Sequence, residues 1–456
     1  MDNFNQRRTG IGMLYLMLAV TIIFFLFSYI TLGHDVFQPS CLVSASYIVS
    51  ILSAYINQDI WDYTYHIETI EVIALGLSVF YLANLMAYMT KGRVCTGSHS
   101  ITEMKPLYIN DIIYVLIILL QSIALLLYLR EVVSISGGGI NFGKMMNSFR
   151  MATYSSEMGV STLASQLYKF SFICAQIFLL VFLNNAIYRN VKNNILNLFP
   201  VIIYSINVLI SASRFNILVL MIEALILYNI LWHKKNGWKR SFKFKTILKM
   251  LILVCVFFMG FYWVRTLVGR ENDSDLITYI TSYSGGSIPL FDMFLQNPPS
   301  DGSELWGAET FYGLLGDLKS LRIINFTDYS SHLEFRSSNG VLIGNVYTAF
   351  RREINDFGLF GMIILQFICS AIFSGAYSRK QYFSNFGMLI YAMSAYPLFL
   401  HSINDSFYMS IVSIGTVYTF VLSYMFYNFI IRFSIRDGKI VIHKKKTGMS
   451  LDNNVR

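Results

Sequence analysis

Arginine side chains between the long apolar runs, or near their ends, are the residues best suited to chemistry on phosphate. A guanidinium group keeps its charge and can bind two phosphate oxygens at once. The candidates are Arg150, Arg214, Arg265, Arg270, Arg336, Arg351 and Arg352. Arg214 stands out because the turn 211–214 joins two apolar runs that are too close together for a loop. A charge in such a turn is costly unless water or an anion meets it. For any other single arginine, snorkelling or structural pairing explains the charge equally well.

Carboxylates and histidines in the same parts of the chain could accept a proton during a transfer reaction. The sequence leaves the general base open among Glu309, Glu353, His401 and Asp405. We take Glu353, with Arg214 and Arg351, as the catalytic candidates.

Familiar catalytic motifs do not occur in this sequence. It contains no H-E-x-x-H, no G-x-S-x-G, no P-loop and no Asp-rich metal motif. Readings as a metalloprotease, an α/β-hydrolase or an ATP-driven enzyme therefore lack support. The 5 cysteines show neither metal nor redox spacing. We expect no metal and no cofactor.

Composition decides what kind of molecule must position these side chains. Of 456 residues, 55% are hydrophobic and 13% are charged, and the mean hydropathy is +0.53. A soluble protein of this size could not hide so much apolar surface. The sequence therefore predicts a single all-α polytopic membrane domain over 1–456. The net charge of +9 comes from short basic clusters between apolar runs, which favours membrane topology over nucleic-acid binding as its cause.

Uncharged apolar runs predict about 11 membrane helices, within a range of about 10–12. They lie near 10–32, 41–57, 69–90, 107–130, 163–187, 196–212, 214–232, 247–268, 357–377, 384–401 and 407–432. The run 41–57 is the weakest because it is short and rich in serine. Treating it as re-entrant keeps Arg7 and Arg8 inside the cell, whereas counting it as a span places them outside. We favour the span, because 41–57 is apolar throughout and ends at an aromatic, acidic stretch.

Lysines and arginines in the connections set the orientation. The basic stretch 233–245 and the basic tail 433–456 are both expected in the cytoplasm. The connection 131–162 and the long segment 269–356 then lie on the outer face. Since 269–356 is aromatic and carries both charge signs, we expect a cap of short helices, with a passive lid as the alternative.

Short motifs follow one another along most of the chain. They are DVFQPS at 35–40, SASR at 211–214, YSGG at 283–286 with FD at 291–292, WGAETF at 306–311, NVYTAF at 345–350 and DFGLFG at 356–361. In this order they resemble the oligosaccharide repeat-unit polymerases, the Wzy-type O-antigen and capsule polymerases. The clearest likeness is to that family's N-x-Y-T-x-F…D-F-G-x-x-G pattern. The turn 211–214 departs from the family, which usually has Gly and Ser before the Arg.

The resemblance implies a metal-independent, inverting glycosyltransferase related to the C-type membrane transferases. Such an enzyme moves a growing glycan from undecaprenyl diphosphate onto a lipid-linked repeat unit at the outer face of the bacterial inner membrane. It implies binding of diphosphate or glycan by arginines and of sugar by aromatic and amide side chains. The residues assigned to these roles are Arg150, Arg214, Arg265, Arg351, Arg352, Asn345, Tyr347, Tyr283 and Trp306. Asp356 is expected to cap the helix that enters the next span.

The expected partners are the lipid-linked oligosaccharide and the bilayer, with a chain-length regulator and a flippase as possible protein partners; no nucleic-acid partner is expected. Three alternatives stay open. A related O-antigen ligase would have a similar layout and a different acceptor. A flippase for the same lipid would show internal repeats and charged or broken helices at mid-membrane, and we find no repeat. A non-enzymatic scaffold would not need the arginines.

Overall fold

The structure is a computed structural model. It describes residues 2–94, 104–138, 141–154, 159–188, 191–211, 213, 215–238, 252, 259–260, 262–263, 275–299, 306–325, 332–436 and 439–442. Arg214 and Arg265 lie outside the described residues, as does most of the predicted span 247–268.

Long apolar helices dominate the part of the chain that the structure describes. Within it, 8 helices are long and apolar enough to cross a membrane. They are α1 (Asp2–Thr31), α2 (Pro39–Ile56), α4 (Ile67–Val94), α5 (Asp111–Ser136), α7 (Thr162–Tyr188), α9 (Phe215–Lys235), α13 (Ala349–Ser378) and α16 (Ile414–Arg432). The prediction of an all-α polytopic membrane protein is therefore confirmed.

Two predicted spans are shorter apolar segments with breaks. The first joins a 3₁₀ helix, Val191–Leu198, to α8 (Phe199–Ile210). The second is divided at Ala395 into α14 (Asn385–Ser394) and α15 (Tyr396–Leu400). After α15 the chain makes a π-helical turn, Phe407–Ile411, before α16 begins.

Helix α2 runs from one end of the bundle to the other. At its start, Asp35 forms an ion pair with Lys380 in the 3₁₀ turn Lys380–Tyr382. At its end, Asn57 Nδ2 donates to Thr281 Oγ1 at 2.8 Å. The weakest predicted span, 41–57, is thus a full-length helix in the structure.

The serines of α2 explain its modest hydropathy. Ser40 Oγ donates to Asn84 Oδ1 at 2.8 Å, Ser50 bonds Ser402 at 2.7 Å, and Ser53 accepts from Ser284 at 2.8 Å. Small hydroxyl side chains of this kind let membrane helices approach closely and join them by hydrogen bonds. The serine content that weakens the span prediction is therefore what fixes α2 in the bundle.

The segment between the membrane helices at 269–356 is partly helical, as expected. It contains α10 (Leu276–Gly285), α11 (Ser287–Gln296) and α12 (Tyr312–Ser320). The expectation of short helices alone was incomplete, because β1 (Arg336–Ser338) and β2 (Val341–Gly344) form an antiparallel hairpin. The connection 131–162 contains α6 (Phe142–Tyr154), and short helix α3 (Gln58–Trp61) follows α2. In the tail 433–456, β3 (Phe433–Arg436) pairs with β4 (Lys439–Ile442).

Helix α13 is bent where its sequence reads DFGLFG. Gly358 has φ 68° and ψ −176° inside the helix, a conformation that favours glycine. At Gly361 an added Cβ would lie 2.1 Å from Phe357 Cβ, so the bend also requires a second residue without a side chain. The bend in α13 therefore explains why both positions of the motif are glycine.

Candidate functional site

Arg351 lies in the first turn of α13 and is the largest fully buried side chain near its start, at 1% exposure. Its guanidinium forms ion pairs with Glu309, through Nη1, and with Glu334, through Nη2 at 2.8 Å. It also lies over the rings of Phe294, at 4.7 Å, and Tyr347, at 5.4 Å. The charge is therefore held by two carboxylates and two aromatic faces. A phosphate that contacts Nη1 or Nη2 competes with these carboxylates, whereas Nε makes no hydrogen bond to a described residue.

Glu334 joins Arg351 to the β-hairpin. Its carboxylate also accepts from Arg336 Nη2 at 3.1 Å, and Tyr347 Oη donates to its backbone carbonyl at 3.1 Å. Burial raises the pKa of Glu334, but the charges of Arg351 and Arg336 and its hydrogen bonds outweigh burial and leave the pKa below its usual value. The carboxylate is therefore ionised where it meets the two arginines.

Arg352 and Asp356 hold the segment around Glu309 against α13. Arg352 Nη1 donates to the carbonyl oxygen of Glu309 at 3.2 Å, and Asp356 Oδ2 accepts from the backbone of Thr310 at 2.7 Å. A second helical part of α13 does begin after the break at Gly358. The expectation that Asp356 caps it was wrong, because Oδ2 accepts from Thr310 and Oδ1 makes no hydrogen bond to a described residue. The carboxylate satisfies a backbone donor of another segment instead.

The WGAETF motif is the segment that these contacts hold. Trp306 is 82% exposed and its ring meets Phe357 edge-on at 4.8 Å. Gly307 has φ +82°, and an added Cβ would lie 2.9 Å from the Phe357 ring. The motif therefore turns an exposed tryptophan outward and a glutamate inward, onto Arg351.

Glu353 follows Arg352 at the start of α13 and is fully buried. Its oxygens accept hydrogen bonds from Gln366 Nε2 at 2.8 and 2.9 Å, across the bend of α13. Gln366 Oε1 meets His401 Nε2 at 2.9 Å. As the Gln366 amide is oriented in the structure, its nitrogen donates to Glu353 and its oxygen faces His401, which assigns the His401 proton to Nε2.

A small cavity adjoins this chain of side chains. Its volume is about 10 Å³, room for one water molecule. The cavity is lined by polar side chains and by the start of the π-helical turn. The polar residues are Glu353, Gln366, His401, Asn404 and Asp405. Asp405 Oδ1 accepts from the backbone of Tyr408 at 3.1 Å, whereas Oδ2 makes no hydrogen bond to any described residue.

Asp405 lies in the connection between α15 and the π-helical turn, outside the apolar helices. Burial raises the pKa of its carboxyl to about 7, although hydrogen bonds from the Tyr408 and Phe407 backbones and the charge of Arg352 act in the opposite direction. Its proton can therefore be gained or lost near neutral pH.

The predicted site residues fall into separate groups. Arg351, Arg352, Glu353 and Tyr347 lie together, and Asn345 precedes them in the connection between β2 and α13. Tyr283 is about half exposed on α10 and packs against Tyr279 at 5.2 Å.

Arg150 belongs to another part of the bundle. Its Nη2 donates to Asn147 Oδ1 at 2.7 Å within α6. The neighbouring Phe149 packs against Tyr128 of α5 at 6.4 Å. The structure thus brings the arginines of α13 together without showing a contact between them and Arg150.

Sequence reasoning missed Gln366 and Phe294, which contact Glu353 and Arg351. Gln366 carried a usable signal, because it is the one amide side chain in the apolar run 357–377 and such residues in membrane helices usually hydrogen-bond a neighbour. Phe294 carried no such signal, since nothing in the sequence distinguishes it from the other phenylalanines of the chain.

Asp292 forms a second buried carboxylate cluster. It accepts from Tyr63 Oη at 2.6 Å, from the backbone of His66 at 2.8 Å and from Thr69 Oγ1 at 2.7 Å. The ring of His66 also meets it, at 2.7 Å. These contacts join α11 to the start of α4, which gives the FD motif at 291–292 a structural role.

The described residues include no group of three or more His, Cys, Asp and Glu side chains placed to hold a metal ion. Comparison with protein-family models, with curated proteins and with solved structures finds no match for this chain.

Proposed function

We propose that this protein is a membrane glycosyltransferase that polymerises lipid-linked oligosaccharide repeat units at the outer face of the bacterial inner membrane. The observation that carries the proposal is the sequence Arg351-Arg352-Glu353, buried at the start of a membrane helix and contacted by Glu309 and Glu334. Burying adjacent guanidinium groups is costly, and such clusters occur preferentially at functional sites.

The proposed reaction suits these residues. Departure of a diphosphate leaving group builds negative charge, which fixed guanidinium groups stabilise most in a site shielded from water. Arg351 and Arg352 are the buried arginines of this turn, and Glu309 and Glu334 hold Arg351 in place before the anion arrives. The aromatic rings of Phe294 and Tyr347 beside Arg351 suit the apolar faces of a sugar.

The position of the cluster agrees with the proposed orientation. Arg351 lies at the opposite end of α13 from Lys380, which directly follows that helix. If the basic connections at 233–245 and 379–380 face the cytoplasm, the cluster faces outward. The lipid-linked substrate would then reach it from the outer leaflet. In this arrangement the chain would have about 11 spans and a C-type transferase layout.

The test is glycan display in a strain deleted for the gene and complemented with variants at matched protein level. Arg351→Ala leaves two carboxylates without their cation and risks misfolding, so Arg351→Lys and Arg352→Lys are the informative variants. Lysine keeps the charge and loses the two-pronged geometry. We expect wild type to restore a ladder of repeat lengths and both variants to shorten or abolish it. Arg130→Lys, an exposed position on α5, is the matched control and should restore the ladder.

Other outcomes would select a different function. Long polymer accumulating on its lipid carrier in the deletion strain would indicate a ligase-like transferase. Absence of any repeat unit from the outer leaflet would indicate a flippase or transporter. A deletion strain with an unchanged ladder would exclude all three.

A further inference from the structure

The cavity beside α13 presents hydrogen-bond acceptors to whatever enters it. His401 carries its proton on Nε2, where it meets Gln366, so Nδ1 has a lone pair and makes no hydrogen bond to a described residue. Asp405 Oδ2 is likewise an acceptor without a described partner. Both residues are more than nine-tenths buried and both line the cavity. Buried acceptors without donors are costly, so the site favours a ligand that donates hydrogen bonds.

The size of the cavity limits that donor to one water molecule. At about 10 Å³ it cannot hold a sugar but has room for one water molecule. The two O–H groups of a water match in number the two acceptors without described partners, Asp405 Oδ2 and His401 Nδ1, on residues that line the cavity. A water molecule in this position would be oriented with its own lone pairs away from these acceptors, ready to accept a proton from a third group.

We propose that Asp405 is the proton acceptor for glycan transfer and receives the proton through one water molecule held in this cavity. The inference rests on the proposed function and names the base that the transfer requires. The acceptor sugar contributes the hydroxyl, which gives its proton to the water as the water gives one to Asp405 Oδ2.

The bonds balance without any further reactant. The electron pair of the acceptor hydroxyl forms the new bond to the anomeric carbon. The bond from that carbon to the diphosphate oxygen breaks, and its electron pair leaves on the diphosphate, near Arg351 and Arg352. Asp405 ends the step protonated and returns its proton to solvent before the next cycle.

The other candidate bases are already engaged. Glu309 is paired with Arg351. Both oxygens of Glu353 accept from Gln366. His401 is hydrogen-bonded to Gln366 and packed among the rings of Tyr47, Phe80 and Phe350. Burial away from water disfavours the charged form of this imidazole. Asp405 Oδ2, by contrast, makes no hydrogen bond to a described residue.

Several titratable groups face Asp405 and set its response to pH. They are Arg352, Glu353, Asp356, Cys369, Tyr396, His401 and Tyr408. Arg352 favours the ionised form of Asp405, and Asp356 opposes it. Since burial raises the pKa of Asp405 to about 7, the ionised base is lost as pH falls through neutrality.

The test measures initial rates of ladder formation across a pH series. It uses membranes from the deletion strain that contain the full-length protein and that strain's own undecaprenyl-diphosphate-linked repeat unit. Wild type should slow as pH falls below about 7. Asp405→Asn keeps an oxygen for the Tyr408 backbone but cannot accept the proton, so we expect a loss of at least about 100-fold at every pH. Asp405→Glu should recover part of the rate, and the pH at which its rate falls on the acid side should differ from that of wild type.

Controls separate this role from a structural one. Asp317→Asn changes another carboxylate that accepts a backbone hydrogen bond, from Gly415 at 2.8 Å, and should keep the wild-type pH profile. Thermal unfolding of each variant in detergent tests folding, and photo-crosslinking to the lipid-linked repeat unit tests binding.

The outcomes decide between the two proposals. A folded Asp405→Asn protein that polymerises at the wild-type rate, or one that is slow only because it no longer binds the lipid, would overturn the role of Asp405 and leave the polymerase proposal standing. If wild type itself makes no ladder, the proposed function fails.

Discussion

Glu353 and Gln366 belong to one helix, 13 residues apart, and are joined by a pair of hydrogen bonds across its bend. Gln366 Nε2 lies 2.8 and 2.9 Å from the two carboxylate oxygens of Glu353. A straight helix would separate these positions by about 20 Å, at 1.5 Å for each residue. The non-helical conformation at Gly358 therefore brings a buried carboxylate and its amide donor together.

Replacing Gln366 with leucine should destabilise the protein because it leaves Glu353 buried without its donor. Leaving a buried acceptor without its donor costs about 1–3 kcal/mol, so we expect a loss of that size. Thermal unfolding of the purified protein measures it. Gln166→Leu, at an exposed position on α7, is the control; equal losses for both variants would contradict the importance of the Glu353 contact.

Gly358→Ala should weaken the bend of α13. The combination of φ 68° and ψ −176° is essentially restricted to glycine and costs an alanine about 1–3 kcal/mol. Gly375→Ala lies on the same helix, where an added Cβ meets nothing within 4 Å, and should be neutral or stabilise by about 0.5–1 kcal/mol. Opposite signs of the two changes in unfolding temperature would support the bend, and a stabilising Gly358→Ala would refute it.

Gly76→Ala should disrupt the contact between α4 and α13. An added Cβ would lie 2.3 Å from Phe350 Cζ, and overpacking of this kind costs about 1–3 kcal/mol. Phe350→Leu in the same chain should relieve part of the loss. Gly12→Ala, where an added Cβ meets nothing within 4 Å, serves as the control. If the double variant is no more stable than Gly76→Ala, the clash with Phe350 is not the cause.

The ion pair between Glu334 and Arg351 should make stability depend on pH in the acid range. The pKa of Glu334 in the folded protein lies below its usual value of 4.5. Its contribution is therefore present at neutral pH and is lost as pH falls through 4.5 toward the folded-state pKa. Unfolding temperatures of wild type and Glu334→Gln should differ at neutral pH and converge in acid. A constant difference at all pH values would show that the charge of Glu334 contributes nothing.

Local sequence was enough to predict the class of the protein and most of its helices. A helix that crosses lipid must form all its backbone hydrogen bonds internally and present apolar side chains along its whole length. Both requirements depend only on residues that are consecutive in the sequence. For this reason the runs at 69–90, 107–130 and 163–187 reappear as α4, α5 and α7. Arg351, Arg352, Glu353 and Tyr347 were also expected to be neighbours, because they lie within the short stretch 347–353.

Tertiary structure decided what those side chains contact. Arg351 meets carboxylates 42 and 17 residues away in the sequence, and no local periodicity links a residue to partners at such separations. The break at Ala395 brings His401 and Asp405 to the start of α13, where the backbone of Ala349 donates to the carbonyl oxygen of His401 at 2.9 Å. Hydropathy specifies which residues enter the membrane. Ion pairs and hydrogen bonds between segments depend on how the helices pack, and only the folded chain shows that Asp405 has an oxygen without a described partner.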